Sequence, residues 1–116
     1  MPVAEFIEDG AFSPVLIAEA LRTTKTEVAG TLGLGQDAFS RASRITARKT
    51  QTRLREMVEI LNRVEAVVGS PLGAYAWFRS EPLQGFGGVT PDQLVREGRA
   101  DFVHRYLDRV MAGGYA

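Results

Sequence analysis

Hydrophobic residues recur along most of this chain at steps of three and four positions, the spacing that places them on one face of an α-helix. The longest such run lies mid-sequence and comprises Leu54, Met57, Val58, Leu61, Val64 and Val68. A second run predicts a last helix from about Ala100 to Met111, with an inner face of Val103, Tyr106, Leu107 and Val110. No segment alternates between apolar and polar residues as a half-buried strand does. The pattern predicts an all-α protein.

Helix start and stop signals divide the chain into successive helices. Ser13 before Pro14 predicts an N-cap and a first helical position, and Thr24 with Glu27 has capping-box spacing at a second helix start. Further helix boundaries are predicted at Gly33, at Gly69-Ser70-Pro71, at Thr90-Pro91 and at Gly98. Residues 48–52 are expected to connect the N-terminal helices to the long central helix.

Three residues near the N-terminus have the spacing of a helix-turn-helix motif. Ala29 is small enough for two helices to approach, Gly33 suits the tight turn, and Phe39 would anchor the second helix on the first. The second helix is predicted to begin near Gln36 and to expose Gln36, Asp37, Ser40, Arg41 and Arg44. Because Gln and Arg can pair with base edges, this segment is a candidate for contact with the major groove.

The charge distribution supports this interpretation. The net charge is zero, from 14 basic and 14 acidic residues, but the charges are unevenly placed. Residues 1–20 hold four acids and no base, whereas residues 40–55 hold six bases and no acid. A basic run is most often a solvated helix face. Here it begins on the element that would enter the major groove, which favours DNA binding over a solvated face.

The composition excludes several kinds of chemistry. The sequence has no cysteine and one histidine, His104. It can therefore form no disulfide, no thiolate nucleophile and no cluster of histidine metal ligands. His104 lies beside an apolar stripe, where packing or surface placement explains it better than a role as a base. The run Gly85-Phe86-Gly87-Gly88 lacks the Lys-Ser/Thr of a phosphate-binding loop and is expected to be a structural turn. We expect no enzymatic activity, no cofactor and no metal.

Two further expectations concern the aromatic residues and the location of the protein. Trp77 is expected in the core, while some of its neighbours, Tyr75, Phe78 and Phe86, are expected at a partner surface. No apolar run is long enough to cross a bilayer, and the N-terminus lacks the pattern of a secretory signal. A cytoplasmic protein without membrane contact is therefore expected.

The C-terminal half carries a distinctive series of short motifs. They are Trp77-Phe78, Pro82-Leu83, Phe86-Gly87-Gly88-Val89-Thr90-Pro91, Leu94-Val95 with Gly98, and the terminal Gly114-Tyr115. In these motifs, residues 54–116 resemble the toxin-binding domain of the Xre/MbcA/ParS antitoxins, the partners of RES-domain toxins. The resemblance implies an Xre-like helix-turn-helix and dimerisation region at residues 1–66, followed by a small helical toxin-binding domain at residues 67–116.

The resemblance also implies that the protein is the antitoxin of a type II toxin–antitoxin system. Family members neutralise a toxin that consumes NAD, either by degrading it or by using it to ADP-ribosylate a target protein. Their C-terminal tail obstructs the toxin's NAD pocket. Carried onto this chain, the occluding tail is Gly113, Gly114, Tyr115 and Ala116, and the candidate contacts around it are Arg96, Arg99 and Arg105.

Family members commonly repress their own operon, which implies operator DNA as a second partner. On this chain Gln36, Ser40, Arg41 and Arg44 would read the DNA, and Arg48, Lys49 and Arg53 would hold phosphates. Symmetric DNA sites favour a homodimer, here within a toxin–antitoxin hetero-oligomer. Two alternatives stay open: a stand-alone helix-turn-helix regulator of transcription whose C-terminal half only dimerises, and a small helical enzyme.

Overall fold

Helices make up most of residues 1–113, the part of the chain that the computed structural model describes. They are α1 (Pro14–Ala20), α2 (Lys25–Thr31), α3 (Ala42–Ile45), α4 (Arg48–Val68), α5 (Pro71–Ser80), α6 (Pro91–Arg96) and α7 (Ala100–Gly113). One turn of 3-10 helix (Val3–Phe6) precedes a hairpin of two short strands, β1 (Ile7–Glu8) and β2 (Ala11–Phe12). The prediction of an all-α protein is confirmed.

Helix α4 lies at the centre of the fold because its buried face meets both halves of the chain. Its side chains share one hydrophobic cluster with Ile17 and Val28 from the N-terminal helices and with Phe78 and Val103 from the C-terminal helices. The predicted apolar face of α4 is buried except for Val68, which is 46% exposed. The predicted boundary between residues 66 and 67 falls inside this helix, and the division into two regions stays a prediction.

The predicted helix starts are formed by side-chain caps. The Ser13 hydroxyl accepts a hydrogen bond from the Leu16 amide at 3.2 Å, and the Thr24 hydroxyl accepts one from the Glu27 amide at 3.1 Å. The carboxylate of Glu27 pairs with Arg79 of α5 at 2.8 Å. That ion pair replaces the return contact of a capping box. The caps confirm the predicted starts of α1 and α2.

The continuous helix predicted to begin near Gln36 is not formed. Residues 36–39 are a turn, and the Ser40 hydroxyl donates to the Asp37 carbonyl at 2.8 Å. A serine hydroxyl bonded to nearby backbone competes with helix propagation. Arg41 is then extended, with φ −154° and ψ 160°, and α3 adds only four residues. Phe39 is nevertheless buried, as the motif predicts. The turn therefore packs against the core through Phe39, but no regular exposed helix follows from it.

The hairpin and the start of α4 also differ from the predictions. Asp9 and Gly10 form the loop with φ of 53° and 80°, which an Asp-Gly pair adopts at a two-residue turn. Residues 48–52, expected as a connection, are the first turns of α4. Gln51 explains the join, because its side-chain amide exchanges two hydrogen bonds with the backbone of Phe12, at 2.8 and 3.0 Å, and donates to Ile45 at 2.9 Å.

The C-terminal end of α2 is held by three other helices. Arg53 of α4 donates to the Leu32 carbonyl at 3.0 Å, and Arg96 of α6 donates to the Thr31 carbonyl at 3.1 Å. These carbonyls have no hydrogen-bond partner within the helix, and the negative end of the helix dipole lies there. A cationic donor therefore satisfies the carbonyl and also interacts favourably with the dipole. The Thr31 hydroxyl also bonds the Tyr75 hydroxyl of α5 at 3.0 Å in a buried position. The two halves of the chain are joined here.

Gly33 is predicted to be more sensitive to substitution than another glycine of the same conformation. Gly33 and Gly98 each follow a helix, with φ of +67° and +78°, but a Cβ on Gly33 would lie 2.8 Å from Cδ of Arg96. A Cβ on Gly98 would meet nothing within 4 Å. We expect Gly98→Ala to lower the free energy of unfolding by about 1–2 kcal/mol. Gly33→Ala should lower the free energy of unfolding by about 1 kcal/mol more than Gly98→Ala does, because Arg96 must move.

Urea denaturation of both variants measures the difference. In an Arg96→Ala background the excess cost of Gly33→Ala should shrink, since a double-mutant cycle isolates that contact. Equal losses for the two glycine variants would show that Arg96 moves aside without cost.

Candidate functional site

An aromatic cluster covers one side of α7. The Phe86 ring lies 5.8 Å from Phe102 and 6.4 Å from Tyr106, and Tyr106 lies 6.4 Å from Trp77. Phe86 comes from the glycine-rich segment between α5 and α6, which is closed by a hydrogen bond from the Leu83 amide to the Val89 carbonyl at 2.9 Å. This segment is a turn, as predicted, and it places Phe86 over α7.

Arginine side chains border this aromatic cluster. The guanidinium groups of Arg99 and Arg105 lie 5.6 and 4.9 Å from the centre of the Phe102 ring, and that of Arg109 lies 5.7 Å from Tyr106. Arg105 also pairs with Asp101 at 2.7 Å. Cations over aromatic faces keep their charge available at the surface while their stems cover apolar area. The result is a cationic rim around an aromatic centre.

The structure brings together two of the three arginines predicted to contact a toxin. Arg99 and Arg105 share the Phe102 ring. Arg96 is engaged elsewhere, with Asp92 and the Thr31 carbonyl both at 3.1 Å. Its geometry gives it a structural role in the described chain, and a role in partner binding stays a prediction.

The predicted occluding tail begins at the end of α7. Gly113 is the last residue of that helix and is exposed. Gly114, Tyr115 and Ala116 lie outside the described residues. Their assignment to the occluding tail therefore stays a prediction from the sequence.

An apolar groove lies between the ends of α4 and α7, beside α5. It has a volume of about 370 Å³ and is lined by Val64, Val67, Val68, Trp77, Tyr106, Leu107, Val110 and Met111. Val67 is 69% exposed and Val110 is 48% exposed. The predicted burial of Val110 is therefore wrong, because no other described element covers this end of α7. Trp77, predicted to be core, is a half-buried wall of the groove, and Phe78 takes the core position instead.

Arg63 fastens α7 to α4 beside the groove. Its guanidinium contacts Nδ1 of His104 at 3.1 Å and donates to the His104 carbonyl at 3.3 Å and to the Asp108 carboxylate at 2.7 Å. Sequence reasoning missed this contact, because Arg63 and Asp108 lie 45 positions apart and neither stands out locally. Burial, followed by the Arg63 charge, lowers the pKa of His104. His104 therefore has a packing role, as its place in the sequence indicated.

The predicted DNA-contacting residues divide into two groups. Six of them are exposed along the turn at 36–40, α3 and the start of α4: Gln36, Ser40, Arg41, Arg44, Arg48 and Lys49. Gln36, Arg44 and Lys49 line one shallow depression of about 370 Å³. Arg53 is half-buried and donates to the Leu32 carbonyl, which occupies it within the fold. DNA contact by these residues stays a prediction.

The described residues also lack two kinds of feature. In residues 1–113, no set of three or more His, Cys, Asp or Glu side chains is placed to hold a metal ion. Over the same range, no helix has both the length and the apolar character needed to cross a membrane.

Stability is predicted to fall in mildly acidic solution because of His104. Its folded pKa is lowered, so below about pH 6.5 the unfolded chain takes up a proton before the folded chain does. The contribution of neutral His104 is present above that pH and is lost as the pH falls through the folded pKa. His104→Asn keeps an acceptor near the Nδ1 position and cannot titrate.

Free energies of unfolding for both proteins, measured from pH 8 to pH 5, test this expectation. As the pH falls, the free energy of unfolding of the parent chain should decrease more than that of His104→Asn. Other titrating groups, including Glu59, Asp101 and Asp108 near His104, are common to both proteins and largely cancel. Parallel pH profiles would contradict the expectation.

Comparison with known proteins identifies the C-terminal part of the chain. Residues 63–113 match the family model of the antitoxin Xre/MbcA/ParS C-terminal toxin-binding domain. Searches of curated proteins and of solved structures gave no significant match. The matched segment begins in α4 and ends with α7, so it contains the groove, the aromatic cluster and the arginines that border it.

Proposed function

We propose that this protein is the antitoxin of a type II toxin–antitoxin system, because residues 63–113 match the family model of the Xre/MbcA/ParS toxin-binding domain. Its partner is a RES-domain toxin that degrades NAD or uses it for ADP-ribosylation. The domain match is the observation that carries the proposal. The proposed protein acts in the cytoplasm, where such a toxin and its NAD would be found.

The proposed mechanism is steric blockade of the toxin's NAD pocket. Helix α7 ends at Gly113, and the residues that follow it would enter the pocket. Small glycines suit close approach to the pocket walls, and Tyr115 offers a compact aromatic ring with a polar tip. Arg99 and Arg105 lie beside the Phe102 ring and would contact the toxin surface next to its pocket. NAD and the tail would then compete for one site.

We propose further that the chain has no catalytic activity of its own. Burial shifts the pKa of three groups in the described part of the chain, raising those of Glu56 and Tyr75 and lowering that of His104. Tyr75 bonds Thr31 and His104 contacts Arg63, contacts that hold helices together. Steric inhibition needs a complementary surface and requires none of these groups to react.

Repression of its own operon is a second proposed activity, supported by the exposed basic segment. The turn at 36–40 replaces the regular helix expected to read bases, so we propose that phosphate contacts dominate. Arg41, Arg44, Arg48 and Lys49 are the proposed phosphate ligands, with Gln36 and Ser40 nearest the bases. A homodimer within the toxin–antitoxin complex would present two such segments to a symmetric operator. Without a toxin partner, the same surface would serve a stand-alone regulator.

Removal of the tail is predicted to abolish protection. The protein encoded by the neighbouring open reading frame, the proposed RES-domain toxin, is expressed with the full chain or with a chain ending at Ala112. The full chain should restore growth, and the shortened chain, at equal abundance, should not. A chain with Arg22→Ala, an exposed N-terminal position, serves as the matched control and should protect fully.

Equal protection by the shortened chain would show that the tail is not needed for inhibition, and the antitoxin proposal would still stand. A neighbour that is harmless alone and does not bind this protein would overturn the antitoxin proposal.

Removal of the basic side chains of Arg44 and Lys49 is predicted to lower the affinity for operator DNA and to make that affinity less dependent on salt. Each phosphate contact contributes about 0.9 to the slope of log K against log salt concentration. Arg44→Ala with Lys49→Ala should therefore flatten the slope by about 2 and weaken binding at low salt most. Arg105→Ala, at an exposed position on α7, should leave the affinity and the slope unchanged. Titration of operator DNA at several salt concentrations measures the slope, and an unchanged slope would exclude both residues from the DNA interface.

A further inference from the structure

We infer that the apolar groove between α4, α5 and α7 is a second docking site for the toxin, separate from the tail. It would receive an apolar side chain or a short apolar helix of the toxin. This inference rests on the proposed antitoxin function. The two surfaces would have different roles, because the groove would supply most of the affinity and the tail would inhibit the toxin.

The groove has the composition of a docking site. Much of its lining is aliphatic, from Val64, Val67 and Val68 on α4 and from Leu107 and Val110 on α7. Its volume of about 370 Å³ lies within the range of pockets that enclose ligand-sized groups. Concave sites lined mainly by hydrophobic and aromatic side chains are typical of places where proteins bind ligands.

The exposed hydrophobic residues are concentrated at this place. In residues 1–113, the large hydrophobic side chains that are exposed are Ile7, Val15, Val67, Val68, Leu72 and Val110. Three of them, Val67, Val68 and Val110, line the groove. Trp77 and Tyr106 complete it, and aromatic residues of this kind are enriched in the contacts that dominate binding energy.

Continuity with the toxin-binding surface indicates the toxin as the occupant. All the residues that line the groove lie within the segment that matches a toxin-binding domain. Tyr106 belongs both to the groove and to the aromatic cluster around Phe102. Met111, at the other end, is two residues before Gly113, where the proposed tail begins. A protein that receives the tail is thus in reach of the groove, whereas a second copy of this chain would have to compete with it.

Two linked contacts explain how so short a tail could inhibit. Four residues alone offer little surface for tight binding. Once the groove is occupied, entry of the tail into the pocket becomes an intramolecular step with a high effective concentration. Groove variants should therefore weaken affinity, whereas removal of the tail should leave a complex in which the toxin is active.

Substitution of exposed valines tests the groove directly. Val110→Asp and Val67→Asp place a charge in it, and each should raise the Kd for an inactive variant of the proposed RES-domain toxin about tenfold or more. Val15→Asp is the matched control, since Val15 is 45% exposed on α1, outside the matched segment. Its Kd should stay unchanged. All three positions are exposed, and urea denaturation should show that all three variants remain folded.

Trp77 provides a second readout, since it is the single tryptophan of the chain. Fluorotryptophan incorporated into the antitoxin alone gives one fluorine resonance from the groove wall, free of signals from the toxin. Toxin binding should shift that resonance both in the full chain and in the chain ending at Ala112.

The possible results separate this inference from the proposed function. Normal toxin binding by Val110→Asp and Val67→Asp with an unshifted Trp77 resonance would overturn the groove site and leave the antitoxin proposal standing. No toxin binding by the parent chain would overturn both. A free dimer that Val110→Asp converts to a monomer would assign the groove to a second copy. A Trp77 resonance that moves when the tail is removed from the free chain would assign it to the tail. Either of these last two results would overturn the inference.

Discussion

The hydrogen bonds that hold the last turn of α2 are the contacts on which the rest of the structure depends. Arg53 and Arg96 satisfy two backbone carbonyls that the helix cannot satisfy itself, and Tyr75 bonds the Thr31 hydroxyl in the interior. Each partner comes from a different helix of the later chain. Cationic donors at a helix C-terminus also oppose its dipole, so this junction gains from charge as well as from geometry. It explains why the N-terminal helices and the C-terminal helices share one core.

The same junction explains the roles of residues that resembled binding residues in the sequence. Arg53 was expected at phosphates and Arg96 at a toxin, yet both guanidinium groups are engaged with the α2 end. Arginine suits either task, because its fork of donors binds carbonyls as readily as phosphates. Arg99 and Arg105, by contrast, remain on the surface beside Phe102. Local sequence does not distinguish these two fates, since they depend on which helix lies opposite.

Local signals in the sequence predicted much of the fold, and long-range contacts account for most of the errors. Caps such as Ser13 and the left-handed Gly69 act within a few residues, so their helix boundaries could be predicted. The hairpin around Asp9 and Gly10 was not predicted, because two-residue strands are too short to show alternation. Trp77 and Phe78 are neighbours about 100° apart on α5, and only packing decides which of them is buried. Val110 was predicted to be buried and is exposed, because no element within residues 1–113 covers that end of α7.

One helix connects the two surfaces proposed to bind different partners. The basic segment reaches the start of α4, a helix of 21 residues, and the groove lies at its other end. At a rise of about 1.5 Å per residue, they stand about 30 Å apart on one rigid rod. A toxin and a DNA duplex could thus occupy the same molecule without touching. The number of residues in α4 then sets the relative orientation of the two ligands. One residue inserted in its middle would lengthen the rod only slightly but turn one ligand by about 100° relative to the other.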